Sequence, residues 1–366
     1  MEQEIVLKKE GQGVAFLRPF IAKITPSFNK TKVLSSLKQT GITIVSILLF
    51  LALWQLGSKA LYNKEANYKI EKALTERGEE AAAAERACIE SGDSSCQPNT
   101  LPSPLQVWGS LQSLIADHKV ITADKAAFVE KMAETNAKLI AQGKDAIVYT
   151  GRASFIDIVL TSIKTVFAGF LLALLIAVPI GIIIGLSPSL RSAFNWFIQV
   201  FKPVSPVVWY LLVFMIVKTL YIGDSSDNAF VISFISVGLC AMWATLVNTA
   251  MGVSSVDKDY INVAKVLKLG TFQKVFKVIL PSSLPLIFTG LRITLSVAWM
   301  VLIAIELLAQ SQGLGLFVWE EFQNGANDSN AKIIVAMFVI GIIGFLLDRI
   351  MLSVQNIVSF NKNEMA

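Results

Sequence analysis

The sequence predicts an all-α integral membrane protein with about six transmembrane helices. Three observations predict it. Of 366 residues, 54% are hydrophobic and only 16% charged, against about 25% charged in an ordinary soluble domain. Mean hydropathy is +0.60, an apolar excess too large for one water-soluble core. The remaining charges leave long runs empty, and Lys and Arg gather on alternate connections between those runs. One His and three Cys leave little material for a zinc site or a His-based catalytic centre, so no metal ligand and no catalytic residue is assigned.

The runs come in chain order. Residues 39–58 hold no charge for 20 residues and include ILLFLALW, enough to cross a bilayer; the first span is read as 39–61. Thr165–Leu190 is charge-free for 26 residues and Asn228–Val256 for 29. Ser192–Val217 is apolar apart from Lys202, with Pro188, Pro203 and Pro206 beside or within it, and is read as one span. Leu284–Leu308 carries Arg292 and Glu306. Ile333–Leu347 is charge-free but short, so the sixth span extends past Asp348. The glycines of 169–185 are read as points of close helix approach.

Orientation follows from Lys and Arg in short loops. With the N-terminus inside, the inner segments 1–38, 187–202, 251–283 and 349–366 hold 16 of them, and the outer loops 218–228 and 306–332 hold two. Both termini are therefore expected in the cytoplasm. The same bias accounts for much of the net charge of +5 without a nucleic-acid partner. Nearly forty mostly polar residues precede the first apolar run, unlike a cleavable signal peptide. Residues 1–38 are read as a cytoplasmic tail with a short surface helix near Val14–Ile24, and 354–366 as a second tail.

Residues 62–153 are read as an extracytoplasmic helical insertion. Over 62–157 the chain carries 11 Lys/Arg and 14 Asp/Glu. Asn63–Ile89 has the Ala/Glu/Lys/Arg make-up of a solvated helix. In Val120–Gln142, Ile121, Phe128, Met132 and Leu139 share one helical face. Ser91–Pro104, rich in Ser, Pro and Asn, is loop. Outside the cytoplasm thiols oxidise, which predicts a Cys88–Cys96 disulfide; two free thiols are the equal alternative. The insertion is expected to rest on the outer membrane surface or on its own transmembrane domain, and a docking surface for a soluble partner is the second reading.

The segment 154–353 is the transmembrane domain, and its inner connection 251–283 is the most informative part. Ile261, Ala264, Val266, Leu267 and Leu269 alternate with Lys258, Lys265 and Lys268, as in a short amphipathic helix. Gly270 then ends or bends it. Such a helix lies flat on lipid or fills a groove on a soluble protein, and periodicity does not choose between them.

The residues do. This stretch resembles the signature loop of permease subunits of binding-protein-dependent ABC importers: Glu-Ala-Ala, three residues, Gly, then about a dozen residues to Ile-x-Leu-Pro. Counting back 13 from Pro281 places the signature Gly at Lys268 and the Glu-Ala-Ala at Asn262, Val263 and Ala264. Only the last Ala matches, and Gly270 is expected to take over as the bend. LPSP (101–104), FKPVSP (201–206), VILP (278–281), FTGLRI (288–293), AW (298–299) and GLGLFVW (313–319) follow in the family's order. They look most like the nitrate/bicarbonate branch of the nitrate, sulfonate and taurine group.

The resemblance implies a type I ABC importer permease fold. Two copies would form the membrane path, two ATPase subunits using ATP and Mg would dock inside, and a solute-binding protein would deliver substrate in a bacterial plasma membrane. The chain itself would bind no cofactor, and it contains no G-x-x-x-x-G-K-[ST] phosphate loop. Asn262, Val263, Ala264, Leu267 and Gly270 would form the ATPase contact, with Lys265 and Lys268 on its rim. Nitrate is the implied substrate, with nitrite, bicarbonate or cyanate next and taurine or aliphatic sulfonates further off. The competing class is a secondary transporter or channel without an ATPase, which usually shows repeated halves; the sequence shows no internal repeat.

Ionisable residues inside spans are functional candidates. Arg292 and Glu306, 14 apart, lie on nearly one helical face. Arg292 is either an attractor for a small anion or a partner for helix-end carbonyls or a carboxylate near the inner surface. The second is favoured, because basic residues occur here across the broader family whatever the substrate. Glu306 is expected near the outer end, partly hydrated. Lys202, Ser205 and Pro206 complete the candidate translocation path, since proline frees carbonyls and irregular membrane backbone lines cavities or lies buried in protein.

Overall fold

In the computed structural model residues 30–92, 96–220, 225–326 and 328–358 are described, and no strand occurs among them. The expected surface helix near Val14–Ile24, most of the N-terminal tail and the end of the C-terminal tail lie outside these residues. Five of the described helices are long and apolar enough to cross a membrane, or six if one sharply bent pair counts as a span.

The chain divides into two units, residues 1–60 and 61–366. The first is described from residue 30 as helix alone. This helix, α1 (Lys30–Arg77), has no break at residue 61, where the sequence placed the end of the first span. Between Ser58 and Arg77 there is neither Gly nor Pro, and the Ala, Glu and Lys found there are strong helix formers. The helix stops before Gly78, whose φ of 89° is left-handed.

In the second unit, α2 (Glu79–Ser91) ends at the left-handed Gly92, and Cys88 is joined to Cys96 by a disulfide. Next comes α3 (Pro104–Ala141), which begins well before the expected Val120. Its start is a capping box: Gln106 N–H donates to the Ser103 hydroxyl, and Ser103 N–H donates to Gln106 Oε1 at 2.7 Å. Pro104 stands where a missing N–H does no harm. Val107, Leu114 and Ile121 are its buried residues, seven apart along one stripe. Polar contacts clamp α3 to the start of the next helix. His118 Nδ1 lies 2.7 Å from the Ser154 hydroxyl, Lys125 pairs with Asp157, and Arg152 pairs with Asp117 at 3.2 Å.

The transmembrane core is built on α4 (Phe155–Leu186), α7 (Ser225–Ser254) and α10 (Leu280–Ala309). The buried face of α4 includes Gly169, Ala173, Ala177, Gly181 and Gly185, a small residue at every fourth position. A Cβ added at Gly169 would lie 2.9 Å from the Phe234 carbonyl oxygen, at Gly181 2.9 Å from that of Leu246, and at Gly185 2.8 Å from that of Ala250. Backbone thus meets backbone at these three points of the seam, the packing mode that works where lipid and side chain are equally apolar. On the other side of α7, Gly290 of α10 sits against Asn248 and Thr245. The Thr294 hydroxyl accepts from Thr245 N–H at 3.1 Å and donates to the Ala241 carbonyl at 3.1 Å. The last helix, α12 (Ser329–Val358), is tied to α10 through Trp299 Nε1, which donates to the Ile340 carbonyl at 2.9 Å.

The expected third span is not one helix. It is α5 (Pro188–Phe201) and α6 (Pro206–Leu220), bent by 99° at residues 202–205. Pro203 and Pro206 remove two donors from consecutive turns, and the Ser205 hydroxyl restarts the ladder by accepting from Val207 N–H. Phe201, Trp209 and Trp243 fill the inner corner of this elbow, with ring centroids 6.1–6.3 Å apart.

Gly181→Ala is expected to lower the unfolding midpoint in detergent, at a cost of about 1–3 kcal/mol from overpacking. Gly341→Ala, with nothing within 4 Å of its added carbon, should raise it, by roughly 0.5–1 kcal/mol of helix propensity. Scanning fluorimetry of the two purified variants reads the contrast, and equal midpoints would remove the tight seam from the account.

Candidate functional site

The connection between α7 and α10 holds α8 (Lys258–Val266), the short α9 (Thr271–Lys274) and one π-helical turn, Val275–Ile279. Asp257 caps α8 by accepting from Asp259 N–H at 2.9 Å. The far end closes in two bonds: Leu269 N–H to the Ala264 carbonyl at 3.0 Å, and Lys268 N–H to the Lys265 carbonyl at 2.9 Å. This is the Schellman arrangement, which needs a left-handed residue between helix and exit.

That residue is Lys268, with φ of 49°. Gly270, expected to supply the bend, instead has φ of −62° and stands as the extended residue before α9. The bend therefore falls where the family pattern carries its Gly, although this chain has Lys there. Lys268 accepts strain that glycine would not feel, because its Cβ crowds the following carbonyl.

The predicted contact residues divide. Asn262, Val263, Lys265, Leu267, Lys268 and Gly270 are exposed. Ala264 is 1% exposed and faces inward, so it is an anchor for α8 and not part of an outer contact. Sequence reasoning missed Tyr260, Val266, Phe272 and Phe276, all exposed; the Phe272 and Phe276 rings lie 4.4 Å apart. Val266, at 81% exposure, stood among the apolar positions of the stretch, but the buried and exposed sides of a nine-residue helix are not separable by period alone.

The five path candidates do not gather at one place. Lys202, Ser205 and Pro206 sit at the elbow between α5 and α6, where Lys202 and Ser205 are exposed. Arg292 reaches α12, where its Nε and Nη2 donate to the two carboxylate oxygens of Asp348, the second at 2.8 Å. The sequence reading favours helix-end carbonyls or a carboxylate as partners of Arg292; the carboxylate found is Asp348, the residue that closes the last charge-free run.

Glu306 is a correction. It is 1% exposed, where partial hydration was expected. Its carboxylate accepts from the Ser162 hydroxyl of α4 at 2.6 Å and from Gly315 N–H at 2.9 Å. The Ser162 oxygen in turn accepts from Leu314 N–H at 2.9 Å. Glu306 thus holds the first turn of α11 (Leu314–Asn324), whose orphan N–H groups favour a negative partner. A Cβ at Gly313 would fall 2.1 Å from the Glu306 carboxyl carbon, and one at Gly315 2.0 Å from the Ile303 carbonyl oxygen. The GLG of the sequence is the signal that was available, since two glycines around a helix start mark a close approach.

A family model described as binding-protein-dependent transport system inner membrane component matches residues 177–359; the insertion lies outside the match. The chain is similar to the nitrate import permease protein NrtB of Synechococcus elongatus, 34% identical over 201 residues, 55% of this chain and 69% of that one. It is equally similar to the bicarbonate transport system permease protein CmpB of Synechocystis sp., 34% identical over 201 residues, 55% of this chain and 68% of that one. Among solved structures it matches the MetNI methionine ABC transporter in inward-facing conformations, at 15% identity over 56% of this chain and 95% of that chain, with a TM-score of 0.47.

Lys268→Gly is expected to raise the unfolding midpoint by relieving about 1 kcal/mol of left-handed strain, whereas Gly270→Ala should leave it nearly unchanged. Glu306→Ala strands the Ser162 hydroxyl and the Gly315 N–H in the core, at about 1–3 kcal/mol for each unpaired group. Thermal unfolding of the purified variants checks both, and a stable Glu306→Ala protein would contradict the assigned role.

Proposed function

We propose that this chain, which belongs to the binding-protein-dependent transport system inner membrane component family, is the permease subunit of an ATP-driven importer for a small anion. Nitrate is the first choice, and nitrite, bicarbonate or cyanate follow. The anion reading is supported by relatives named for nitrate and bicarbonate transport. The observation that carries the transport role is the exposed apolar face of the α8–α9 connection. Tyr260, Val263, Val266, Leu267 and Phe272 are each more than half exposed on a loop between two spans. Water is a poor environment for so many large apolar side chains in one place.

A groove on an ATPase subunit is the proposed cover. The face is convex and helical, as a helix-in-groove contact requires, and Lys258, Lys265 and Lys268 supply a basic rim. Anchoring is internal: buried Ala264 seats α8, and the π turn continues directly into α10. Displacement of α8 as a unit is therefore passed to a core helix. ATP drives import only if the closed ATPase pair favours one permease conformation over the other; a lever fixed at both ends makes that preference mechanical.

In this reading both termini and the α8–α9 connection are cytoplasmic, as the Lys/Arg bias directs, and the insertion is extracytoplasmic. Two copies form the path, and a solute-binding protein delivers the anion from outside.

The test is reconstitution of the chain with its ATPase and binding protein in liposomes, with nitrate uptake followed with and without ATP. Val266→Asp together with Phe272→Asp is expected to cut ATP-dependent uptake by about tenfold or more, equivalent to at least ~1.4 kcal/mol of coupling. Uptake by the permease alone, down a gradient and indifferent to the ATPase, would overturn the reading. Uptake of taurine in place of nitrate would move the substrate and leave the coupling role intact.

A further inference from the structure

We infer that the Arg292–Asp348 pair is an exchangeable oxyanion site, in which Asp348 occupies a guanidinium fork that the transported anion takes over. The inference rests on the small-anion reading above and names the group that would recognise the cargo.

The geometry comes first. Nε and Nη2 of Arg292 each meet a different oxygen of one carboxylate, the bidentate fork that Arg forms with planar oxyanions. Nitrate, bicarbonate and nitrite present the same motif: two oxygens on one trigonal centre, in a plane with the donors. A fork that fits Asp348 therefore fits them. Arg292 has five N–H donors, and these two bonds use only part of them. No other acceptor binds it among the described residues.

The surroundings come second. The pair opens onto a cavity of about 580 Å³, lined also by the polar Thr289, Ser296 and Gln355 and by the apolar Ile293, Val297 and Leu352. The Arg292 and Asp348 side chains are 36% and 26% exposed, although both stand within helices long and apolar enough to span a membrane. Thr289, Arg292 and Ser296 make a polar stripe along α10, and Asp348 and Gln355 face it from α12. Polar and charged groups at membrane depth belong against protein or a water-filled cavity, not against hydrocarbon.

Exchange also solves a charge problem. A bare Arg held ready for an anion would be an unpaired cation inside the membrane for most of the cycle. With Asp348 on the fork the site is neutral while empty of cargo. An arriving anion replaces one carboxylate by one oxyanion, so Arg292 is never left unpaired. The released Asp348 keeps its negative charge, and the adjacent Arg349, whose guanidinium rests over the Phe345 ring at 4.9 Å, is the cation that would balance it.

The two substitutions are expected to act in opposite directions; because any freed guanidinium attracts anions, nitrate binding by the wild-type chain is the readout that a purely structural ion pair would not give. Asp348→Asn removes the internal competitor and should tighten sodium nitrate binding to the purified full chain by about tenfold or more. Arg292→Lys keeps the charge but loses the fork, and should weaken it by a similar factor. Isothermal titration with sodium nitrate, against sodium chloride at equal ionic strength, reads both. The reversed pair, Arg292→Asp with Asp348→Arg, serves where single variants unfold: it should restore the unfolding midpoint but not nitrate binding. Nitrate binding no tighter in Asp348→Asn than in wild type overturns the inference, as does nitrate binding restored in the reversed pair. If the wild-type complex imports no anion at all, the proposed function fails instead; wild-type uptake with unchanged binding in both single variants condemns this site alone.

Discussion

The close contact of α4 with α7 is the constraint on which the rest of the membrane domain depends. In lipid there is no hydrophobic gain from pressing two apolar helices together, so association rests on how nearly the backbones approach. Gly169, Ala173, Ala177, Gly181 and Gly185 keep one stripe of α4 free of bulk, and the main chain of α7 fills it. Once α7 is fixed on that side, Gly290 and Thr294 of α10 fix it on the other. The three helices then hold the two ends of the functional loop, because α8 and α9 leave from α7 and return through α10.

The loop shows how a local rule is met by an unfavoured residue. A short helix that must stop and exit at a set angle closes with a left-handed residue, and glycine is the low-cost choice. Here the hydrogen bonds of the closure are formed with Lys268 in that place. The surrounding bonds over-determine the turn, so the chain adopts it in spite of the Cβ. Glu306 follows a similar logic. A carboxylate in a core is costly unless it is fully engaged, and two donors from different helices engage it while it satisfies the start of α11.

At the other end of the domain the insertion is bound to the membrane helices by polar contacts beside the buried stripe of Val107, Leu114 and Ile121. The His118–Ser154 and Lys125–Asp157 contacts join α3 to the first turn of α4. Asn99, beyond the disulfide, donates to the Gly325 carbonyl at 3.0 Å before α12 begins. These contacts span segments far apart in the chain, and none has a period or a motif.

What the sequence determined by itself is the set of properties carried by runs of residues: the membrane class, the charge-free spans, the small-residue stripe of α4, the amphipathic connection 251–283 and the order of motifs that marks the family. Each depends on composition or period, which survive without knowledge of neighbours. Only the tertiary structure decided which single residues face which partners. It broke the expected third span into an elbow, moved the bend from Gly270 to Lys268, turned Ala264 inward, took Glu306 out of water and placed Asp348 on the Arg292 fork. These outcomes depend on backbone torsions and on residues as much as 144 positions apart, and a linear pattern carries neither.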